Sequence, residues 1–465
     1  MDFDIIIIGS GPGGYVAAIR AAQLGLKTAV VERSELGGIC LNWGCIPTKA
    51  LLKSAQVFNY LKHSADYGVL SENVKADLPA MVNRSRGVAA QMSKGVDFLF
   101  QKNGVIRIAG FGKLAGKNQV EVTDNEGNKS IITAQNIILA TGARSRQLDA
   151  LPQDGKKIIG YREAMTLEHQ PASMVVVGSG AIGSEFAYFY QSIGTQVTLV
   201  EFLPEIIPLE DEEASKLLAR AFKKMKMKVM TESSVTSVDT SGDLCQVQIT
   251  TKKGEQVVEA EVVLSAVGVS TNIENIGLEE IGVKVERGKI WVDDFYRTNI
   301  EGVYAIGDIV HGPALAHVAS REGIVCVEKI AGLNPEPVDY ENIPACTYTN
   351  PEVASVGLSQ KAAQDKGFEV KVGNFPFRAS GKATASGNVD GFVKLVVDSK
   401  TDLILGCSMV GDNVTEMIQE VVVARQKGMK AAELLATIHP HPTMSEAVME
   451  AAAAVHGEAI HILNQ

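Results

Sequence analysis

Runs of apolar residues that stop at a glycine or an acid divide the N-terminal part of the chain into elements. Ile5–Ile8 is continuously apolar and ends at Gly9, which indicates a strand buried on both faces. Tyr15–Leu24 is typical of a helix, and Thr28–Glu32 is a second apolar run that ends in an acid. This order predicts a βαβ unit. No apolar run reaches about 18 residues, so the pattern predicts no membrane span.

The same pattern returns in the middle of the chain as Met174–Val177, a glycine turn, Ser184–Ile193 and Gln196–Glu201. Both turns have the spacing GxGxxG. Such glycines let the backbone approach a pyrophosphate at a helix N-terminus, and the acids Glu32 and Glu201 can accept hydrogen bonds from ribose hydroxyls. One GxGxxG match is weak, but two in the same strand and helix context predict two dinucleotide sites rather than two structural turns.

Later segments predict β excursions and a separate terminal unit. Val105–Ile132 and Val229–Val263 are rich in strand residues, and each leads to an apolar run closed by glycine, as expected where the chain returns to a nucleotide-binding sheet. After about residue 344 no nucleotide motif remains. Alternation in Phe392–Asp398 predicts an antiparallel sheet, with helices near Thr415–Lys427 and Ser445–Val455. A unit without a cofactor motif is typical of a subunit interface.

Composition narrows the class of protein. The 465 residues are 46% hydrophobic and 21% charged, which excludes general disorder, and the net charge of -10 argues against a nucleic-acid partner. The first strand follows Met1 so closely that no room is left for a signal or transit peptide, so we expect a cytoplasmic protein, with a processed organellar protein as the alternative. Six cysteines are too few for a secreted disulfide framework, and four of them stand alone as expected buried thiols.

The other two cysteines, Cys40 and Cys45, are separated by four residues in a glycine-rich segment. A zinc site would need further ligands nearby, and a structural disulfide is disfavoured in a cytosolic protein. A redox pair fits better, because Pro47 can start a helix whose dipole favours a thiolate at Cys45, and Gly44 allows the loop to bring the sulfurs together. Lys49 would point toward the same region, with Glu185 as its expected partner.

The segment GGICLNWGCIPTKALL, residues 37–52, resembles the active-site signature of the pyridine nucleotide-disulfide oxidoreductases. Its Ile-Pro-Thr-Lys ending is closest to the dihydrolipoamide dehydrogenase branch of that family. The resemblance continues through Ala140–Ala143, Tyr304–Asp308 and Leu315–His317, and it ends in His439–Glu446. It implies an α/β fold with two Rossmann-like dinucleotide-binding domains and a C-terminal α+β interface domain.

The resemblance also implies roles for single residues. Cys40 would be the interchange thiol, Cys45 the thiol facing the flavin, and His441 the acid and base, oriented by Glu446. FAD contacts are expected at Gly9, Gly11, Gly14, Glu32, Lys49, Gly112, Thr141, Gly142, Ala143, Asp308, Ala314, Leu315, Ala316 and His317. NAD contacts are expected at Gly178, Gly180, Gly183, Glu185, Glu201, Val235 and Gly268.

The domains expected from these motifs span residues 1–145 for FAD binding, 146–270 for NAD binding, 271–343 to complete the FAD site and 344–465 for the interface. The resemblance implies a homodimer that oxidises the dihydrolipoyl group of an E2 subunit or of an H-type protein of glycine cleavage. NAD is favoured over NADP because Glu201 is followed by Phe202 and Leu203, which leaves no cation for a 2′-phosphate.

Two alternatives remain open from the sequence. Another FAD-dependent disulfide reductase, of the glutathione or mercuric type, would have the same fold, although residues 446–465 contain no cysteine pair of the mercuric kind. A non-catalytic flavoprotein would tolerate loss of the reacting residues, which are all present. Ile39, Trp43 and Pro440 depart from common family residues. None of them removes a reacting atom, so we expect them to affect substrate access, flavin potential and the choice of partner more than the reaction type.

Overall fold

The computed structural model describes residues 1–464, and the first apolar runs form the centre of a sheet. Parallel strands join Ile5 to Thr28 on one side and to Asn136 on the other. Ile5, Ile6 and Ile7 are fully buried between the helix layers. The elements are β1 (Phe3–Ile8), α1 (Pro12–Gln23), β2 (Thr28–Glu32), α2 (Gly38–Trp43), α3 (Cys45–Lys62), α4 (Leu78–Asn103), β3 (Ile106–Ala109), β4 (Phe111–Gly116), β5 (Gln119–Thr123), β6 (Lys129–Leu139) and β7 (Ala143–Ser145).

The sheet order is β3-β2-β1-β6-β5-β4. Its first half is parallel, as βαβ connections require, and β4, β5 and β6 form an antiparallel extension. The first βαβ unit and the β excursion predicted from the sequence are therefore both present. The parallel half places the carboxyl ends of β1 and β2 at one edge, which is where ligands bind in open α/β sheets.

The second repeat forms another parallel sheet, in the order β11-β10-β9-β15-β8, with β12, β13 and β14 as a separate antiparallel sheet. The elements are β8 (Ile158–Ile159), α5 (Tyr161–Ala164), β9 (Ser173–Val177), α6 (Ala181–Ile193), β10 (Gln196–Val200), α7 (Glu212–Lys224), β11 (Lys228–Met230), β12 (Ser233–Asp239), β13 (Cys245–Thr251), β14 (Gly254–Ala260), β15 (Val262–Ser265) and β16 (Val269–Thr271). Strands β7 and β16 pair with each other where the chain enters and leaves this part.

The chain then returns to the first sheet through α8 (Leu278–Ile281), β17 (Val285–Glu286), β18 (Lys289–Ile290), β19 (Val303–Ala305) and α9 (Ala316–Ile330). Strand β19 is parallel to β6. Helix α9 packs closely on α1, because a Cβ placed on Gly323 would lie 2.7 Å from the Gly13 carbonyl oxygen. This contact holds α9 beside the first glycine turn.

The C-terminal part is an antiparallel sheet in the order β20-β21-β24-β23-β22, covered by helices. Its elements are β20 (Ala345–Thr347), β21 (Glu352–Gly357), α10 (Gln360–Asp365), β22 (Val370–Pro376), α11 (Gly381–Ser386), β23 (Phe392–Asp398), β24 (Ile404–Gly411), α12 (Val414–Gln426), α13 (Ala431–Leu435) and α14 (Glu446–His456). The predicted sheet and both predicted helices are confirmed. Within residues 1–464, no helix is both long enough and apolar enough to cross a membrane.

The alternation predicted for β23 does not produce an exposed face, because all seven of its residues are buried. Lys394, which is 3% exposed, forms ion pairs with Asp211 at 3.1 Å and with Glu213 at 2.8 Å. The carboxylate of Asp398 accepts a hydrogen bond from the Thr401 hydroxyl. Lys394 therefore joins the terminal sheet to the N-terminal end of α7. The architecture as a whole confirms the expected α/β fold.

Candidate active site

The two motif cysteines lie at a junction of two helices. Cys40 is in α2 and Cys45 is the first residue of α3. The sequence predicted a loop between the cysteines, but α2 continues from Cys40 to Trp43 and only Gly44 separates it from α3. The sequence also predicted a helix that starts at Pro47, whereas α3 begins two residues earlier, at Cys45. Gly44 makes the close junction possible: a Cβ at this position would lie 3.1 Å from the Ile39 carbonyl oxygen and 3.3 Å from Cα of Cys40. Cys45 thus sits directly at a helix N-terminus.

The environment of the pair favours a thiolate at Cys45. A hydrogen bond from the Cys40 thiol is the largest cause that lowers the pKa of Cys45, and the Lys49 ammonium also lowers it, against the opposing effect of burial. The same bond and burial raise the pKa of Cys40. A helix N-terminus further favours negative charge at this place. Cys40 therefore holds the proton and Cys45 the charge when the pair is reduced.

Lys49 forms the predicted ion pair with Glu185. The Lys49 Nζ lies 2.8 Å from Oε2 and 3.0 Å from Oε1 of Glu185, whose side chain is 5% exposed. The backbone N–H of Tyr348 also donates to Glu185 at 3.0 Å, and Lys49 Nζ lies 4.2 Å from the centre of the Tyr348 ring. Tyr348 could not be predicted from the sequence, because it lies far from the motifs along the chain and belongs to none of them. The pair fixes an ammonium beside Cys45.

Helix α4 holds the redox segment in place through side-chain donors. The Ser85 hydroxyl donates to the Pro47 carbonyl at 2.9 Å, and the Ser93 hydroxyl donates to the Leu36 carbonyl at 2.9 Å. These bonds fix the segment on both sides of the cysteines.

Trp43, one of the departures from the family pattern, lies between two guanidinium groups. The Cζ of Arg86 is 4.0 Å and the Cζ of Arg162 is 5.2 Å from the centre of its ring. Such cation–π contacts contribute about 1 kcal/mol each where they are partly desolvated. Among residues 1–464, no hydrogen-bond partner reaches the buried Trp43 Nε1. Trp43 and Ile39 both line the cavity described next, so they shape its wall.

One large cavity, of about 1600 Å³, collects most of the residues expected to contact FAD. It exceeds the roughly 300–1,000 Å³ of usual small-molecule sites, as a dinucleotide requires. Its lining includes Cys40, Cys45, Gly9, Gly11, Glu32, Lys49, Gly112, Thr141, Gly142, Ala143, Asp308, Ala314, Leu315, Ala316 and His317. Gly14 does not line it. A Cβ on Gly14 would lie 2.0 Å from the Gly9 carbonyl oxygen, so this glycine permits helix packing instead.

The glycine turn at this cavity has the features of a phosphate site. Gly9 has φ of +102°, and a Cβ on Gly11 would meet open space. No side chain caps the N-terminus of α1, which borders the cavity at Gly11–Gly13, so its first N–H groups are free to bind a ligand there. Glu32 accepts hydrogen bonds from the backbone N–H and the hydroxyl of Ser10, at 2.8 and 2.7 Å. These residues fit the pyrophosphate and ribose of a dinucleotide.

The second turn repeats this geometry closely. Gly178 has φ of +95°, a Cβ on Gly180 would meet open space, and the N-terminus of α6 has no side-chain cap. Glu201 accepts from the backbone N–H and hydroxyl of Ser179, at 2.9 and 2.7 Å. A Cβ on Gly183 would lie 1.9 Å from the Gly178 carbonyl oxygen, as at Gly14. The second turn therefore fits a second dinucleotide.

The remaining residues expected at the NAD site lie in different places. Glu185 reaches the large cavity from α6, together with Ala181 and Ile182. Gly268 has φ of +99° and follows β15, and its carbonyl accepts a hydrogen bond from the Arg146 N–H at 3.0 Å. Val235 is on β12 and packs partly buried against an apolar cluster. Among the described residues, neither Gly268 nor Val235 is part of the lining of that cavity.

Asp308 and His317 form part of the opposite wall. Asp308 lies in a short 3-10 turn, Gly307–Ile309, and burial raises the pKa of its carboxyl group. No group in residues 1–464 donates a hydrogen bond to it, so its oxygens are open to a ligand hydroxyl. The Nε2 of His317 lies 3.0 Å from the Pro344 carbonyl oxygen, which orients the ring.

His441 and Glu446 form the expected pair outside this cavity. The Nδ1 of His441 lies 2.8 Å from Oε1 of Glu446, and the Thr443 N–H donates to the other oxygen at 2.8 Å. Burial raises the pKa of Glu446, but these two hydrogen bonds lower it more, so it stays below the usual value. The His441 side chain is 78% exposed and is not among the described residues that line the cavity of its own chain.

The negative charge of Glu201 is expected to decide the preference for NAD over NADP. Exchanging Glu201 for glutamine and Phe202 for arginine should raise the ratio of kcat/KM for NADP to that for NAD about tenfold or more. A carboxylate that repels a 2′-phosphate would be replaced by a guanidinium that attracts it. Steady-state rates with both coenzymes measure the ratio, with Phe202→Arg alone as the control that keeps Glu201. An unchanged ratio would show that the second turn does not bind the nicotinamide coenzyme.

Comparison with known proteins finds matches over nearly the whole length of the chain. The family model for pyridine nucleotide-disulphide oxidoreductases matches residues 3–323, and the model for the dimerisation domain of this family matches residues 343–452. The chain is 48% identical to dihydrolipoyl dehydrogenase of Zymomonas mobilis over 99% of both proteins. It is 42% identical to the mitochondrial dihydrolipoyl dehydrogenase of Pisum sativum, over 99% of this chain and 92% of that protein.

A solved structure supports the same assignment. The crystal structure of LpdA from Mycobacterium tuberculosis superimposes with a TM-score of 0.90 at 29% sequence identity, covering 96% of this chain and 98% of that one. The two family models match most of the nucleotide-binding and terminal parts, and the Zymomonas mobilis relative aligns over 99% of the chain. The chain belongs to the pyridine nucleotide-disulphide oxidoreductase family.

Proposed function

We propose that the protein is a dihydrolipoyl dehydrogenase, which oxidises protein-bound dihydrolipoyl groups and transfers their electrons to NAD. The observation that carries this proposal is the Cys40–Cys45 pair beside the Lys49–Glu185 ion pair, in a chain 42–48% identical to several dihydrolipoyl dehydrogenases. The family uses FAD and a pyridine nucleotide, and the two glycine turns fit these two cofactors. The expected change at sulfur is the conversion of a dithiol to a disulfide.

The residues of the pair support a thiol–disulfide exchange. One dihydrolipoyl thiolate attacks Cys40 in the oxidised pair, the Cys40–Cys45 bond breaks, and Cys45 leaves as a thiolate. The second dihydrolipoyl sulfur then attacks the first, which closes the lipoyl disulfide and releases Cys40 as a thiol or thiolate. The Lys49 ammonium and the N-terminus of α3 stabilise the charge on Cys45.

Bound FAD would supply the two-electron redox chemistry that links the reduced cysteine pair to NAD. Gly9, Gly11 and Glu32 would hold its phosphates and one ribose, and Asp308 would hold a hydroxyl group on the opposite wall. Lys49 would lie near the face of the cavity that contains Cys45. The NAD contacts would come from the turn at Gly178–Gly183 and from Glu201.

His441 is proposed as the base that accepts the dithiol proton, because a neutral imidazole oriented by a carboxylate suits this task. Its distance from the cavity of its own chain is explained if it acts on the cysteine pair of a partner subunit. The match to the dimerisation domain supports a homodimer of this kind. Glu446 would fix the ring through Nδ1 and leave Nε2 free for the substrate.

The domain boundaries proposed from the sequence, 1–145, 146–270, 271–343 and 344–465, remain part of this proposal. The partners would be the lipoylated E2 subunit of a 2-oxoacid dehydrogenase complex or a lipoylated H-type protein. We also propose a cytoplasmic location, although relatives include both bacterial and mitochondrial proteins.

A steady-state assay with the purified holoenzyme tests the proposed reaction. Dihydrolipoamide and reduced glutathione would be compared as donors, with NAD and NADP in turn as acceptors. We expect kcat/KM for dihydrolipoamide with NAD to exceed that of every other combination by about 100-fold or more. Equal or faster oxidation of glutathione would contradict the proposal and favour a glutathione reductase type of enzyme.

A further inference from the structure

A chain of partly buried hydrogen bonds lies behind the cavity wall that contains Asp308. The hydroxyls of Tyr296 and Tyr340 are 3.1 Å apart, and the Tyr340 hydroxyl donates to Oε1 of Glu322 at 2.6 Å. Tyr296 and Glu322 are each 1% exposed. Glu322 is on α9, whereas Tyr340 belongs to the segment that leads into the terminal sheet. The reaction described above makes no use of these groups.

The other oxygen of Glu322 holds the turn that carries Asp308. Oε2 accepts a hydrogen bond from the Gly307 N–H at 2.6 Å. Gly307 has φ of +77°, a conformation that favours glycine, and it begins the 3-10 turn in which Asp308 follows. A carboxylate is a strong acceptor for such an amide. The Asp308 side chain therefore extends into the cavity from a backbone that Glu322 fixes.

Burial of Glu322 is costly for the fold. Burial, with a smaller effect of the Asp308 carboxylate, raises the pKa of Glu322 to about 7, against hydrogen bonds from Tyr340 and Gly307 that lower it. The Lys289 ammonium also lowers this pKa, but its Nζ donates to the Gly312 carbonyl and not to Glu322. No cation in residues 1–464 forms an ion pair with Glu322. A buried acid without a cation costs stability, and the hydrogen bonds of Glu322 offset this cost only in part.

We propose that Glu322 is a positioning residue for FAD, which fixes the Gly307–Asp308 turn so that the Asp308 carboxylate meets a cofactor hydroxyl. Tyr340 and Tyr296 complete the arrangement by orienting the Glu322 carboxyl group. Because Tyr340 precedes the terminal sheet, the retention of FAD depends on the packing of that part of the chain. The inference rests on the FAD requirement of the family and is independent of which dithiol is oxidised.

FAD release from the holoenzyme tests this role without turnover. Flavin fluorescence would follow dissociation after dilution at fixed temperature, for the wild type and for Glu322→Ala and Glu322→Gln. We expect Glu322→Ala to release FAD about tenfold faster or more, because the Gly307 amide loses its acceptor. Glu322→Gln retains a carbonyl oxygen for that amide, so we expect release only about threefold faster.

Glu328→Gln is a matched control on the same helix. Glu328 is bound to Arg20 at 2.6 Å and does not contact the 307–308 turn, so the same chemical change should alter FAD release by less than about twofold. Release from Glu322→Ala at the rate of the control would overturn the proposal. If Glu322→Ala does not fold, the variants Glu322→Gln and Tyr340→Phe test the proposal in its place. The proposal then requires both of them to release FAD faster than Glu328→Gln.

Thermal unfolding of the apoprotein separates positioning from general stability. We expect the apoprotein Tm of Glu322→Gln to match that of Glu328→Gln, while its FAD release remains faster. Equal FAD release by these two variants, or a loss of apoprotein stability that accounts for the whole difference, would show that Glu322 has a structural role alone. Failure of the dihydrolipoamide assay would leave these FAD measurements unaffected, so the two proposals fail separately.

Discussion

Replacing Cys45 with serine is expected to reduce dihydrolipoamide oxidation at least about a thousandfold while FAD stays bound. A serine hydroxyl cannot form a disulfide with Cys40, so the variant has no disulfide to accept the electrons of the dithiol. FAD retention should persist because the glycine turn, Glu32 and Asp308 are separate parts of the cavity wall. The measurements are the NAD-dependent rate and the flavin absorbance of the purified variant.

Cys245→Ser serves as the matched control for this prediction. The Cys245 thiol is buried in β13 and donates to the Glu261 carbonyl at 3.8 Å, where a hydroxyl can donate as well. We expect this variant to keep wild-type activity. Turnover of the Cys45→Ser variant above a few per cent of wild type would show that the Cys40–Cys45 pair is not the redox centre.

Mixed dimers of Cys45→Ser and His441→Ala chains are expected to recover about half of the wild-type activity, although each variant alone is inactive. If His441 serves the cysteine pair of its partner, one site of the mixed dimer carries both changes and the other carries neither. The exposure of His441 and its position outside the cavity of its own chain support this arrangement. Half of the activity follows if the two sites act independently.

Co-expression with two different affinity tags would isolate the mixed dimers for this measurement. Wild-type dimers carrying the same two tags are the control for any effect of the tags. If each histidine instead served its own chain, every site would carry one lethal change. Mixed dimers with no more activity than either parent would therefore rule out the shared site.

Much of this site could be predicted because local motifs specify local geometry. Both glycine turns and their acids lie as the sequence indicates, since strand, turn and helix follow one another along the chain. The Lys49–Glu185 pair was predicted from two motifs. The starting residue of α3 was predicted wrongly, because Pro47 can occupy the first turn of a helix without being its first residue.

Contacts between distant segments could not be predicted in the same way. Tyr348 meets Glu185, and Tyr340 meets Glu322, only after the terminal part has packed on the other sheets. No periodicity marks either contact, because each depends on how whole elements are placed. The burial of β23 was missed for a related reason, since Lys394 has a polar side chain whose partners are supplied by α7.

Lys394 has a consequence for how this chain can evolve by exchange of segments. Its ammonium lies in the terminal sheet, but both of its carboxylate partners, Asp211 and Glu213, are near the start of α7. A terminal segment from a relative without this lysine would leave Asp211, 5% exposed, without its cation, at a cost of about 3–5 kcal/mol. Positions 211, 213 and 394 are therefore expected to be inherited together, and a recombination point between them would be selected against.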